Sequence, residues 1–407
     1  MPDLTKKSVE VDEKTGTVSG FLSYSNAKVP VPNKFATTTE LNATRVVGLK
    51  EDFPTEIVIA GKLIYPETLK RILKEEEFLK EFARRLARET SSHEDALSML
   101  FFVLKGEAAI TESSDLRTAL DLQYFADMDV ITVQQTPGVS PTDFFALYRF
   151  AERWLDNRGI DKPLMPVLTP TVSRDEFEKT LKSLLKREIK ALGFDMRGGF
   201  YYQALRSIEE AKEKNPELWV HAFQVPPKIR FAHSLLRCSE GMMLPLFGVD
   251  SYNRWVVPPP PVPLVKDNIN MFDSTNWGVF KRKEWNREYG ASLHCTCPMC
   301  NKHRLPTFFL GEVLTVLGRS KVHDHYAIRE QLLALAGHVK QGNVQNFVSK
   351  KKYPSDFLKQ TSEAESEPVR ASSQPSSSSK PGGRPRSSSA NRSTSRPRRP
   401  PPSTRSS

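Results

Sequence analysis

Residues 129–169 read DVITVQQTPGVSPTDFFALYRFAERWLDNRGIDKPLMPVLT. The stretch opens on a β-branched run, DVITVQQ (129–135), and closes on a second apolar run, LMPVLT (164–169). Between them Ser140 and Pro141 open PTDFFALYRFAERWLDNRG, which sets Phe144, Leu147 and Phe150 on one side and stops at Gly159. Serine followed by proline starts a helix, and glycine ends one. Strand, amphipathic helix, strand is the unit from which parallel sheets are built. The pattern recurs in both directions. Further strands are expected at TEIVIAG (55–61), EAAIT (107–111), ALGFDM (191–196), LWVHAFQV (218–225), MMLPLFGV (242–249) and NINMFD (268–273), which brings the set to eight. Ser173 and Glu176 form a capping-box pattern ahead of FEKTLKSLLKREIKALG. Eightfold alternation predicts an α/β protein of the (β/α)8 TIM-barrel class. An open doubly wound sheet is the rival, but no GxGxxG follows the first strand, which argues against a dinucleotide site.

The expected organisation is a β or irregular cap over 1–52, the barrel over 53–278, a zinc-binding subdomain with a closing helix over 279–358, and a Ser/Pro/Arg tail over 359–407. The chain carries a formal charge of +11. From Arg370 onward there are nine basic residues and no acidic one, so removing that segment takes the charge from +11 to +2. Such a composition cannot bury enough apolar surface to fold and is suited to sequence-blind contact with phosphates. No run reaches the roughly 20 apolar residues of a membrane span. The charged start MPDLTKKSVEVDEKTG is unlike a secretory signal, so a cytoplasmic location is expected.

Three of the four cysteines fall in HCTCPMCNKH, residues 294–303. Cys295, Cys297 and Cys300 have C-x-C-x-x-C spacing, which brings three thiolates to corners of a Zn²⁺ tetrahedron. The fourth ligand is left among His294, His303, His323 and His325, the last two at the start of the helical stretch HDHYAIREQLLALAGHV. A Cys3His site is closed, hence structural. Cys238 reads as a core residue.

C-x-C-x-x-C with HDHY (323–326) downstream resembles the zinc site of tRNA-guanine transglycosylases, and it points to His323 as the fourth ligand. That family is a (β/α)8 barrel with its zinc insertion after the last strand. MFDSTNW (271–277) is similar to the family segment whose aspartate is the nucleophile, which assigns that role to Asp273. FDMRGG (194–199) is similar to the base pocket, with Asp195, Gly198 and Gly199. LPLFGV (244–249) looks like the seventh strand and leads to Asp250, also a base-site candidate. DVITVQQTP puts Gln135 where the family carries an aspartate that reads the base. EAAITESS, matched loosely, gives Glu112 as general acid/base, with Asp195 and Asp250 behind it. LTP (168–170) replaces the family's Q-G-G motif. The basic motif that follows the nucleophile in bacterial tRNA enzymes is absent, as is the RNA-binding module of the archaeal ones. The resemblance is therefore greater to the branch that inserts 7-deazaguanines into DNA.

What the resemblance implies is exchange of guanine in a polynucleotide, DNA favoured and tRNA the alternative, for a free 7-deazaguanine base such as 7-cyano-7-deazaguanine. A carboxylate would trap the anomeric carbon and a second displacement would restore configuration. The target base must leave its stack and be read along its hydrogen-bonding edge. Trp277 and Tyr252 are candidates for stacking on bases, or else packing residues. KRKEWNR (281–287) is a candidate phosphate contact. The four prolines at 258–261 form either a rigid strap or a substrate-facing loop. The competing readings are an inactive barrel that partners an active subunit or binds nucleic acid, and a zinc-ribbon protein of another fold. Oligomeric state is left open, a homodimer being one option.

Overall fold

The computed structural model describes residues 4–24, 27–49, 53–91, 96–136, 138–170, 173–197, 199–231, 234–254, 264–288, 295–303 and 307–366. Eight strands share one sheet: β1 (Asn33–Thr37), β2 (Ile57–Ile64), β3 (Leu97–Leu104), β4 (Ile131–Gln134), β5 (Leu164–Leu168), β6 (Ala191–Asp195), β7 (Trp219–Val225) and β8 (Ser251–Arg254). Neighbours are parallel, in the order β3-β2-β1-β8-β7-β6-β5-β4. A parallel bridge between Met99 and Val130 brings β3 back to β4 and closes the ring. The expected α/β barrel is therefore present.

The join between β3 and β4 is made largely by side chains. Gln134 accepts from the Phe102 amide (2.8 Å) and donates to its carbonyl (3.1 Å). Thr132 donates to the Leu100 carbonyl at 2.7 Å. These bonds satisfy backbone groups that a regular ladder would have paired.

Five expected strands fall on β2, β4, β5, β6 and β7. The other three do not belong to the ring. EAAIT (107–111) is a loop; the strand there is LSMLFFVL, buried on both faces and so a continuous apolar run without alternation. MMLPLFGV becomes the helix Glu240–Met243 and the 3-10 turn Leu244–Phe247. Pro245 sits in the first turn and Gly248, at φ 77°, ends it. NINMFD supplies Asn270–Asp273, which pairs antiparallel with Gly278–Lys281 in a separate hairpin. The three unexpected staves are LSMLFFVL, NKFAT and SYNR, so the ring runs from Asn33 to Arg254 instead of 53–278.

Inside the ring, inward side chains fill the space in layers, among them Phe35, Ile59, Met99, Phe101, Met165, Val167, Trp219 and Phe223. Phe101 and Phe223 stack at 4.5 Å between centroids. Gly193 is required on the neighbouring stave, since a Cβ there would lie 2.6 Å from Val167 Cγ2 and 2.9 Å from Phe223 Cε2. A three-stranded antiparallel sheet, Thr5–Val11, Val18–Tyr24 and Ala27–Val31, packs Leu22, Val29 and Val31 against the same core. Asp250, which immediately precedes β8, binds Lys6 of this sheet (2.5 Å), Lys212 (2.8 Å) and the Val220 amide (2.8 Å). That triad ties the sheet to the N-terminal end of the barrel. The helix Val313–Lys340 packs on β1 and on the Asn270–Asp273 strand.

Candidate functional site

Parallel staves deliver their last inward side chains to one mouth, the C-terminal one, and in (β/α)8 proteins chemistry gathers there. Among the described residues, the carboxylate that a stave carries inward at that end is Asp195, in register with inward Phe223. It is 4 % exposed. Its Oδ2 accepts from Arg197 Nε at 2.6 Å and lies 2.5 Å from Nη2, and its Oδ1 accepts from the Arg197 amide at 3.0 Å. Arg197 also donates from Nη1 to the Leu104 carbonyl at the end of β3 (3.1 Å). Burial raises the Asp195 carboxyl above its ordinary range despite the opposing pull of Arg197.

Gln135 follows β4 at the same end and is buried. Its Oε1 accepts from the Thr169 amide (3.2 Å), while its Nε2 is buried with no hydrogen-bond partner among the described residues. Deeper in the ring, the His221 ring nitrogens lie 2.9 Å from Ser251 Oγ and 3.1 Å from Asn253 Oδ1. Burial pushes this imidazole down to about 3, so it is neutral near pH 7.

The second site is the cysteine cluster. Cys297 caps the short helix Pro298–Lys302: its Sγ accepts from the Cys300 amide (3.4 Å), and Cys295 Sγ accepts from the Cys297 amide (3.5 Å). His323, on the long helix, brings Nδ1 to 3.4 Å from Cys297 Sγ and 3.2 Å from Cys300 Sγ. All four donor atoms lie within 4.8 Å of one another. Tetrahedral bond lengths of ~2.3 Å to sulfur and ~2.0 Å to nitrogen require S···N edges of about 3.5 Å, so the donor set fits a metal ion. Nε2 of His323 donates to the Phe272 carbonyl (2.9 Å), which fixes the tautomer and leaves Nδ1 free to ligate. The crowded thiols share protons: contacts with Cys297 and Cys300 pull Cys295 down, while contacts with Cys295 and Cys297 push Cys300 up. A cation would relieve that crowding. Of the two candidate histidines on the helix, His325 points elsewhere, with Nδ1 2.9 Å from Lys34 Nζ and Nε2 donating to the Pro54 carbonyl at 2.8 Å.

The metal lobe is wired to the end of β8. The Phe272 amide donates to Asp324 Oδ1 (2.7 Å), and Arg254 donates to Asp324 Oδ2 (2.6 Å). Asp324 is fully buried, beside the ligand His323.

The remaining expected site residues separate. Asp273 ends the first strand of the hairpin, not a barrel stave. It is 7 % exposed, and its oxygens accept from the Thr275 amide (2.9 Å) and Asn276 Nδ2 (3.1 Å) within the turn. The position it was expected to fill, the inward end of the eighth stave, holds Asn253. Asp250 precedes β8 and lies at the opposite end from the mouth, locked between two lysines; its expected place in the base site is corrected accordingly. Glu112 is the N-cap residue of the helix Ser113–Phe125, exposed, and makes no side-chain cap bond. Gly199 follows Arg197 closely and is half-buried, while Gly198 lies outside the described residues. Trp277 and Tyr252 are packing residues: Trp277 is fully buried and donates to Gln331 (3.0 Å), and the Tyr252 ring covers Gly241. The polyproline loop at 258–261, His294 and the tail from 367 also lie outside the described residues. In KRKEWNR, Arg282 pairs with Asp267 at 3.1 Å.

Sequence reasoning missed Arg197, His221 and Asn253. One signal was available for His221: in LWVHAFQV it alternates with Trp219 and Phe223 and so shares their inward face. Glu240 was also missed; it is fully buried, neither carboxylate oxygen has a hydrogen-bond partner among the described residues, and burial holds it well above the ordinary carboxyl range. No family model and no curated protein matches the chain. No helix among the described residues is long and apolar enough to cross a membrane.

Proposed function

We propose that this protein is a transglycosylase that exchanges guanine in a polynucleotide, DNA in preference to tRNA, for a free 7-deazaguanine base. The observation that carries the reading is a barrel mouth whose one inward carboxylate among the described residues is Asp195, on a ring against which the helix Val313–Lys340 packs and brings His323 to a Cys3His cluster. The resemblance to tRNA-guanine transglycosylases rests on C-x-C-x-x-C…H and MFDSTNW, with FDMRGG and LPLFGV as further matches. Zn²⁺ is the metal we assign, because three thiolates and one imidazole suit it. With all four positions filled by protein it would hold the lobe together and take no part in the reaction.

In this scheme Asp195 and Gln135 read the extruded base. Glu112, unengaged by its cap position, would exchange protons with the departing and arriving bases. The carboxylate that captures the anomeric carbon would be Asp273. Its place in the hairpin turn, together with Asn253 at the end of β8, favours a second reading: a barrel that binds a guanine-bearing strand without cutting it and serves an active partner.

One experiment separates the two. The protein is incubated with guanine-containing DNA or tRNA and labelled guanine, then denatured. Exchange of label and a denaturation-resistant adduct that disappears in Asp273→Ala support the enzyme. Strand binding with neither adduct nor exchange on either polymer supports the binding module.

A further inference from the structure

At the mouth, one side chain bridges the ends of two staves. Arg197 reaches from the end of β6 to the carbonyl that ends β3, and β5 and β4 lie between those two staves in the ring. Its guanidinium stands 5.9 Å from the centroid of Phe101, which is itself stacked on Phe223. Nε and Nη2 lie at 2.6 and 2.5 Å from the same Asp195 oxygen. The Arg197 side chain keeps 20 % of its surface, whereas the Asp195 side chain keeps 4 %. The carboxylate is thus sealed, and the group that seals it is the one solvent reaches.

A guanidinium presents two N–H donors from one planar edge. A 2-amino-4-oxo purine or 7-deazapurine presents the same edge: the ring N–H and the exocyclic amine beside it. We infer that Arg197 is an internal stand-in for that edge, and that a base entering the mouth displaces it and takes its two donors to Asp195. The nearby aromatic pair offers a flat floor, and Nε2 of Gln135 at the same rim is a buried donor with no acceptor among the described residues. A base carbonyl is the chemistry that would satisfy it. The inference rests on the reading of the mouth given above, and it adds the feature that selects the base.

The specificity follows from the cost of an unpaired group. A base lacking the 2-amino group leaves part of a buried carboxylate unsatisfied once the arginine has left, a loss that supports discrimination of tenfold or more. The test is calorimetric titration of the full chain with 7-deazaguanine and with 7-deazahypoxanthine, which lacks that amine. Wild type should bind the first at least tenfold more tightly. Asp195→Asn should bring the two affinities together. Arg197→Met, freed of the competitor, should bind 7-deazaguanine at least fivefold more tightly than wild type. If that variant does not fold, Arg197→Lys answers the same question, because a single ammonium cannot present the fork. Equal binding of the two bases by wild type, weaker binding by Arg197→Met, or binding of neither base by any form overturns the inference. Selective binding without guanine exchange sinks the enzyme reading alone. Exchange without the selectivity sinks this inference alone.

Discussion

Replacing Asp250 by alanine should destabilise the fold by about 4 kcal/mol. The carboxylate accepts from Lys6 at 2.5 Å, Lys212 at 2.8 Å and the Val220 amide at 2.8 Å. The side chains of both lysines and the aspartate are at most 2 % exposed. Truncating one partner of a buried ion pair typically costs 3–5 kcal/mol, because the remaining charge is left without compensation, and the lost amide bond adds about 1. Relief comes from the carbonyls that stay in place: Pro216 accepts from Lys6 (3.1 Å) and Lys212 (3.2 Å), and Leu218 also accepts from Lys212. Further relief comes from loss of a proton. Burial already pushes Lys212 below the usual lysine range with Asp250 in place. Without the aspartate, the unfolded chain binds more protons than the fold, so stability must rise with pH until the unfolded lysines titrate near 10.5. Urea unfolding at several pH values reads both effects. With an m-value on the order of 3 kcal/mol/M, the midpoint at pH 7 should fall by roughly 1.3 M and recover toward pH 9. Asp250→Asn, which keeps an acceptor, should lose about half as much, and base binding by the folded variant should be unchanged. A loss under about 1 kcal/mol, or a deficit that deepens with pH, would refute the reasoning.

Three other outcomes are expected. The purified chain should carry one equivalent of zinc, lost in Cys300→Ser and His323→Ala but kept in His325→Ala, as read by elemental analysis; chelation should lower the melting temperature by several degrees. His221 is held neutral with its pKa near 3 in the fold and titrates near 6.5 when unfolded, so stability falls as pH drops through that window. At about 1.4 kcal/mol per pH unit the loss approaches 5 kcal/mol by pH 3, and His221→Gln should flatten the acid limb of a stability-against-pH curve. Gly193→Ala should cost 1–3 kcal/mol by chemical denaturation, since its Cβ would come within 2.6 Å of Val167 Cγ2. An unchanged midpoint would mean that the staves part more readily than their packing implies.

The barrel was legible where alternation and helix caps reinforced each other. Ser140 with Pro141, and Ser173 with Glu176, mark helix starts that the structure contains, with Ser140 and Ser173 each accepting from the amide three residues on. Legibility failed where burial removed the pattern. LSMLFFVL has apolar residues toward both layers, so it carries no period of two. NKFAT and SYNR are staves with polar side chains, because Lys34 meets Glu40 behind the sheet and Asn253 meets His221 inside it. Those pairings form only once the sheet has folded, and no local rule reveals them. The displaced count then placed Asp250 and Asp273 at the C-terminal ends of barrel staves, which they do not occupy. The cysteine motif needed only local spacing and was read correctly as a cluster; spacing alone left His323 and His325 open, the resemblance pointed to His323, and the helix does turn that residue toward the thiols and His325 toward Lys34.

The ring is not equally strong around its circumference. Where Gln134 and Thr132 do the work of missing ladder rungs, rotatable side chains replace a rigid peptide, and separation there needs no neighbouring rung to break first. Thermal breathing should therefore start at that join, and the Phe102 amide, which Gln134 holds across it, should admit deuterium before the amides of the continuous β2–β3 ladder. A cylinder with one hinged seam can widen to admit a bulky guest and still return to its resting diameter.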